Sequence, residues 1–322
     1  MEQTAVEKKF GKYVMASMIT MFLQSAYSMI DGLFVSNLIG DTALSAVNVA
    51  WPIIAVVTAI GTGVGCGGAV MMSTKQGEGK NEESNIVRAN VILALLASSI
   101  VVTILFLILL TPLLKLMGAE GELLRLSQIY GRVMLTGGVL QILSCGLTPL
   151  LRNDNRAVSA MMIMVGGLFA NLGLDFVFMY VFHMGIGSAA GASLCAQLFT
   201  TLCCLIILGT KKTDPIRFSQ FMIRKEYWKK IFKTAVSPFG ISLTPSLLIL
   251  YHNVACLKFG GDLAVNAYAL ISSTVGSYRV LLIGVAEGIQ PLASYAYGAH
   301  DFHAIRKIRN KAVITAMGDR KS

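Results

Sequence analysis

The sequence predicts an all-α integral membrane protein: a six-helix lobe followed by the first two helices and a stub of a second, parallel-repeat lobe. Hydrophobic residues make up 55% of the 322-residue chain and charged residues only 14%, against roughly a quarter in soluble domains. The mean hydropathy is +0.67. A helix needs about 20 apolar residues to cross a bilayer core of about 30 Å, and runs of that length recur along the whole chain.

Eight segments have the length and hydropathy of a transmembrane helix, and a ninth begins near residue 308. The first is a span and not a cleaved signal, because its apolar run of about 24 residues exceeds the usual 7–15 of a signal core. The predicted spans are 13–36, 46–72, 89–111, 126–150, 157–182, 187–209, 231–257 and 264–292. They divide the chain into an N-terminal lobe (1–209), a basic inter-lobe loop (210–230) and an incomplete C-terminal lobe (231–322).

The positive charge is concentrated in alternate connecting segments. Those expected on the side of the N-terminus hold 19 of the 27 Lys and Arg, and those on the other side hold three. By the positive-inside rule this asymmetry predicts a cytoplasmic N-terminus. It also accounts for the net charge of +10 without a nucleic-acid partner, so the expected environment is a lipid bilayer.

The second lobe repeats the first. Shifting the chain by 221 residues aligns Gly63 with Gly284, Gly67 with Gly288, Ser73 with Ser294 and Gly77 with Gly298. Because 221 residues contain six spans, an even number, the second copy has the orientation of the first, which predicts parallel repeats about an axis along the membrane normal. A full second copy would run to about residue 440, so the sequence is expected to be truncated after the start of the ninth helix.

The run GTGVGCGG contains Gly63-x-Gly65-x-x-Gly68, which is formally a dinucleotide-binding fingerprint. No strand precedes it, and small residues at this spacing let membrane helices approach closely, so we predict helix packing. The six cysteines lie within predicted spans without metal-binding spacing, and predict neither disulfides nor zinc.

Two aspartates occur in the stretch SMIDGLFVSNLIGD. Asp41, at the start of the second span, is predicted to cap a helix. Asp31 lies 18 residues into its span, as does Asp175 in the fifth, so both are expected about 27 Å from the cytoplasmic end. Asn171 lies one turn from Asp175 on the same face. Two carboxylates and an amide oxygen suit Na+ or, with one carboxyl protonated, a proton, although each acid could instead border an aqueous vestibule.

The eighth span carries two further charges at membrane depth, Arg279 and Glu287. Ionisable groups there are costly and are candidates for function. His252 occupies the position that the repeat pairs with Asp31. These three residues are predicted to line the substrate cavity, although Glu287 could be solvated near the cytoplasmic end.

The sequence contains no hydrolase nucleophile elbow, zinc-protease motif or P-loop, so an enzyme is not predicted and no cofactor is expected. An ATP-driven pump would need a soluble nucleotide-binding domain, which the sequence does not contain, so transport driven by an ion gradient is the function that remains.

Several motifs together resemble the bacterial branch of the MATE (multidrug and toxic compound extrusion) family. They are DGLFVSNLIGDTALSAV, GTGVGCGGA with STKQGEGK, NLGLD followed by GIGSAAGAS, and AEGIQPLASYAYGA. The resemblance covers residues 10–316 in order. It implies two six-helix lobes around a central cavity, a location in the bacterial inner membrane, and export of organic, often cationic, compounds in exchange for H+ or Na+.

The resemblance also implies roles for individual residues. Asp31, Asn171 and Asp175 match the family's cation-coupling positions, and Glu287 matches an acid that helps to line the cavity. Thr148 and Ala192 depart from the family pattern, which bears on the ion. Two alternatives stay open: a lipid-linked sugar flippase of the same superfamily, and a non-transporting membrane fragment.

Overall fold

The computed structural model describes residues 3–209, 220–221 and 223–317, and this part of the chain is almost entirely helical. Most of the predicted inter-lobe loop, at 210–219 and 222, lies outside the described residues, so the predicted domain boundaries stay predictions. The helices are α1 (Gln3–Leu38), α2 (Asp41–Gly77), α3 (Asn81–Leu116), α4 (Gly121–Thr136), α5 (Gly138–Asn153), α6 (Ala157–Asp175), α7 (Gly187–Gly209), α8 (Lys225–Gly298) and α9 (Phe302–Met317), with a π-helical turn (Phe176–Val181) after α6.

The helices confirm a multi-pass membrane architecture. Five described helices are long and apolar enough to cross a membrane, and the bent pair α4 and α5, counted as one span, brings the number to six. The first three helices extend beyond their predicted spans at both ends. This is expected because hydropathy marks only the apolar middle of a helix, whereas helical hydrogen bonding continues into the polar ends.

The predicted fourth span is two helices that meet at an angle of 57°. The bend lies at Gly137 and Gly138. A Cβ built on Gly137 would lie 2.1 Å from Leu194 Cδ2 in α7, and one on Gly138 would lie 2.4 Å from Thr103 Oγ1 in α3. The side-chain amide of Gln141 donates to the Met134 carbonyl across the bend. A continuous helix at 126–150 is therefore wrong, because close approach of two neighbours favours a glycine kink here.

Helix α8 replaces the two predicted spans at 231–257 and 264–292, and its assignment continues through the predicted loop. The chain nevertheless reverses direction within it. The rings of His252 and Tyr268 stack with centroids 4.9 Å apart, whereas 16 residues of straight helix would separate them by about 24 Å. We therefore treat α8 as a first arm (225–252) and a second arm (268–298) that run antiparallel.

The two lobes are related by an approximate two-fold axis. A Cβ on Gly67 of α2 would lie 2.7 Å from the Ala235 nitrogen in the first arm, and one on Gly288 of the second arm would lie 2.6 Å from the Val14 Cα in α1. Adding 221 to Gly67 and Val14 gives Gly288 and Ala235, so one contact is the repeat image of the other. The predicted parallel repeat is thus visible in the packing.

Helix α2 is the centre of the packing, since it contacts α1, α3, α4, α5 and α8. Its glycines make the approach possible: a Cβ on Gly65 would lie 2.3 Å from the Gly146 carbonyl oxygen in α5, and one on Gly68 would lie 2.2 Å from Val91 in α3. The glycine run is a packing motif, as predicted.

Asp41 does not cap α2 in the predicted way. The N-cap residue is Gly40, which adopts φ +123°, a conformation that favours glycine. The Asp41 carboxylate instead accepts a hydrogen bond of 2.7 Å from the Ser36 hydroxyl. It still lies in the first turn, where a negative charge complements the helix dipole.

Candidate functional site

The fold brings Asp31, Asn171 and Asp175 together, although they come from α1 and α6. The carboxyl groups of Asp31 and Asp175, which we call the acid pair, lie within hydrogen-bonding reach of each other. The Asn171 amide nitrogen donates to Asp175 Oδ2 at 3.0 Å. Asp175 is fully buried and Asn171 is 6% exposed, so the cluster lies inside the six-helix lobe.

The acid pair has unused hydrogen-bonding capacity. The Oδ1 atom of each carboxyl group is buried and receives no hydrogen bond from the described residues. A carboxylate only accepts, so two facing carboxylates satisfy each other only if a proton is shared or a cation lies between them. The arrangement is chemically suited to binding one monovalent cation, and the Asn171 carbonyl oxygen is a third hard ligand nearby.

Two tyrosines complete the walls of this cluster. The Tyr27 hydroxyl donates to Asn171 Oδ1 and is also within reach of the Ser193 hydroxyl in α7. Tyr130 of α4 is buried beside both carboxyl groups. Sequence reasoning missed both residues, although Tyr27 was detectable because it lies one helical turn before Asp31.

The π-helical turn begins directly after Asp175. Such turns widen a helix by one residue and are frequent at functional sites. Here the change in hydrogen bonding falls immediately beyond the buried carboxylate. No sequence pattern in FVFMYV indicated it, since the segment is uniformly apolar.

Glu287 lies elsewhere, at the end of the lobe where α1 begins and α2 ends, which we call the inner end. Arg152 of α5 donates to Glu287 Oε2 of the second arm. The Arg152 side chain is 7% exposed and that of Glu287 is 26% exposed. We call these residues the inner pair. Sequence reasoning missed Arg152 because this residue lies just beyond the predicted fourth span (126–150), where Lys and Arg were counted among the charges of the cytoplasmic connections.

The three predicted cavity residues do not form one cluster. His252 is exposed and stacks on Tyr268, which places it at the depth of that residue. Glu287 lies 19 residues beyond Tyr268, about 28 Å along the arm. Arg279 is half-buried between these depths.

A buried ion pair lies at the inner end of the six-helix lobe. Arg88 of α3 contacts Asp154 of the α5–α6 connection at 3.4 Å, and both side chains are almost fully buried. Gln76 at the end of α2 donates to the other Asp154 oxygen at 3.0 Å. These contacts border an open pocket of about 640 Å³, which Lys9, Tyr13, Asn153, Arg156 and Tyr295 help to line.

Comparison with known proteins identifies relatives of the whole fold. The chain is 24% identical over 298 residues to the multidrug export protein MepA of Staphylococcus saprophyticus, covering 92% of this chain and 66% of MepA. It is 25% identical over 327 residues to MepA of Staphylococcus aureus, covering 98% and 70%. The chain thus spans about two thirds of the length of these curated relatives.

Solved structures of transporters share the architecture. A crystal structure of MATE in the straight conformation superposes with a TM-score of 0.90 at 25% identity, covering 97% of this chain and 70% of the other. An outward-facing multidrug resistance MATE family transporter of the MOP superfamily gives 0.89 at 26% identity, covering 96% and 68%. A MOP superfamily transporter from Pyrococcus furiosus, described as having a binding pocket of reverse polarity, also gives 0.89 at 25% identity, covering 96% and 68%.

The profile of the MatE family matches residues 16–177 and 241–318, on both sides of the inter-lobe loop. The match includes Asp31, Asn171 and Asp175, and both glycines of the repeat-related contacts, Gly67 and Gly288. The chain belongs to the MATE family of multidrug efflux transporters.

Proposed function

We propose that this protein is a multidrug efflux transporter that exports organic, often cationic, compounds by antiport with H+ or Na+. The observation that carries the proposal is the acid pair. Its two buried Oδ1 atoms lack donors among the described residues, which leaves each of them able to accept a proton or bind a cation. The MepA relatives are named multidrug export proteins, which supports the choice of cargo.

The positions of these groups support an antiport mechanism. A cation that binds between Asp31 and Asp175 neutralises charge inside the six-helix lobe and holds α1 against α6. Its release leaves two carboxylates in repulsion, which favours a different packing of these helices. Asn171 keeps Asp175 oriented in both states through its hydrogen bond. The exchanged ion is substrate in this scheme, and the residues act by binding and orienting it.

The membrane setting is part of the proposal. The charge asymmetry supports a cytoplasmic N-terminus, and the resemblance to bacterial relatives supports a place in the bacterial inner membrane. In this orientation the inner end faces the cytoplasm, and the acid pair lies in the outer part of the lobe.

The proposal is tested by Asp31→Asn in cells that express this chain. Export of ethidium should fall to background, because an amide neither exchanges a proton nor binds a cation as a carboxylate does. The matched control is Asp41→Asn, which removes an acid ten residues away whose carboxylate accepts a hydrogen bond from the exposed Ser36 hydroxyl. Membrane abundance of all variants is measured in parallel.

Undiminished ethidium export by Asp31→Asn at equal abundance would refute the proposal. A parent chain that exports nothing would instead favour the non-transporting fragment, and movement of a lipid-linked sugar in vesicles would favour the flippase. Imposing a Na+ gradient and a pH gradient separately on vesicles identifies the coupling ion.

A further inference from the structure

The interface between the six-helix lobe and α8 is held by polar contacts at the inner end. The Ser73 hydroxyl of α2 donates to the Pro291 carbonyl at 3.2 Å, and the Ser294 hydroxyl donates to Asn153 Oδ1 at 3.3 Å. The inner pair crosses the same interface. An ion pair with one almost fully buried partner is the most demanding of these contacts, because separation leaves the buried charge without its counter-ion.

The repeat shows why Arg152 has one acidic partner and not two. Residues 66 and 287 are equivalent under the 221-residue shift, and both lie beside Arg152. The first copy has Cys66 and the second has Glu287. Arg152 therefore meets the two equivalent positions at the axis, and only one of them supplies a charge.

Arg152 has other hydrogen-bond partners within reach when Glu287 moves away. Its Nε atom is buried without a hydrogen bond among the described residues. Beside it is a void of about 10 Å³ lined by Ser17, Thr20 and Thr148 among others, roughly the space of one water molecule. In a state without the ion pair, these three hydroxyl groups, or a water molecule that they bind, can accept hydrogen bonds from the guanidinium group.

We propose that Arg152 is a positioning residue that holds Glu287 and thereby closes the inner end of the lobe interface, and that the inner pair separates whenever this end opens. The inference rests on the proposed function, since an antiporter must open its two ends in alternation. It assigns Glu287 a gating role in addition to any contact with cargo.

Two cysteines of the chain can report whether the inner end of the lobe interface is open. Cys66 is buried at the inner pair, whereas Cys204 is buried within α7 of the six-helix lobe. The experiment measures N-ethylmaleimide labelling of each cysteine in membranes, by mass spectrometry of peptides, without any transport substrate. The parent is compared with Arg152→Gln, Glu287→Gln and the swap Arg152→Glu/Glu287→Arg.

We expect both single variants to label Cys66 about tenfold faster than the parent, and the swap to restore most of the protection. The two single variants change the electrostatic field at the thiol in opposite directions, so a rise in both reports access and not thiol reactivity. Arg125→Gln is the matched control, because it removes an ion pair with Glu122 that is exposed on both sides.

Unchanged Cys66 labelling in the single variants would overturn the proposal, as would a folded swap as reactive as they are. An equal rise at Cys204 would show that the pair is needed for the fold itself, and would also overturn it. Because labelling needs no cargo, failure of ethidium export would contradict the proposed function and leave the gate result standing.

Discussion

At the residue scale, the chemistry of the acid pair depends on what surrounds it. Asp175 accepts a hydrogen bond from Asn171, and Asn171 in turn accepts one from Tyr27. The three side chains form a chain of hydrogen bonds that ends at a carboxylate with one unused oxygen. The satisfied hydrogen bonds fix the orientation of the Asp175 carboxylate, and the unused oxygen is the atom that can bind a proton or a cation. Tyr27 is therefore as much a part of the site as the acids.

The role of Tyr27 is tested by Tyr27→Phe. The variant loses the donor to Asn171, and a buried acceptor without its donor costs about 1–3 kcal/mol. We expect ethidium export to fall several-fold but not to vanish, since both carboxylates are still present, and the thermal unfolding midpoint to fall slightly. Export and melting are measured on the same preparations.

The control for this residue is Tyr180→Phe, in the π-helical turn, because Tyr180 is 54% exposed. Full export by Tyr27→Phe would mean that Asn171 orients Asp175 without help from α1.

At the element scale, α8 is helical along its whole length, yet the direction of the chain reverses within it. The stacking of His252 on Tyr268 requires the two arms to be side by side. Further support comes from α2, where Gly67 contacts Ala235 in the first arm and Gly77 contacts Tyr295 in the second. Ten residues of α2 cover about 15 Å, whereas 60 residues of straight α8 would cover about 90 Å.

The reversal predicts a cross-link. In a variant with His252→Cys and Tyr268→Cys, mild oxidation should join the two positions within one chain, because their side chains are in contact. Mass spectrometry of proteolytic fragments detects the linked peptides. The pair His252→Cys and Val275→Cys, in which the second cysteine lies two turns beyond Tyr268 on the second arm, should stay unlinked, and equal linkage of both pairs would contradict the antiparallel arrangement.

The sequence predicted the helices better than the bends within them and the contacts between them. Hydropathy is a property of a whole span, so it locates helices well. The span predicted at 187–209, for example, is observed as α7 at Gly187–Gly209. The bend at Gly137 depends on Leu194, which is 57 residues away in the chain, and no local pattern encodes that contact. The same limit applies to the site: equal depth linked Asp31 to Asp175, but the partnership of Arg152 with Glu287 depends on how two lobes meet.

At the scale of the whole molecule, the two-fold relation makes the glycine contacts between the lobes occur in pairs. Besides the Gly67–Ala235 and Gly288–Val14 contacts, a Cβ on Gly63 would lie 3.0 Å from Phe239 Cβ, and one on Gly284 would lie 2.8 Å from the Met18 Cα. Phe239 is Met18 shifted by 221 residues. The axis itself passes near Gly77 and Gly298, since a Cβ on Gly77 would lie 3.0 Å from the Gly298 Cα.

This symmetry predicts paired effects on stability. Gly67→Ala and Gly288→Ala each place a methyl group within 2.7 Å of backbone atoms, which rigid helices cannot readily accommodate. We expect both variants to lower the unfolding free energy by about 1–3 kcal/mol, as overpacking typically does, and by similar amounts. Thermal melting in detergent measures the change.

Gly276→Ala, in the same arm as Gly288 but with no atom within 4 Å of its Cβ, should melt no lower than the parent, because alanine favours helix. A large loss for Gly67→Ala with none for Gly288→Ala would show that the two contacts are not equivalent, and the axis inferred from them would then be wrong.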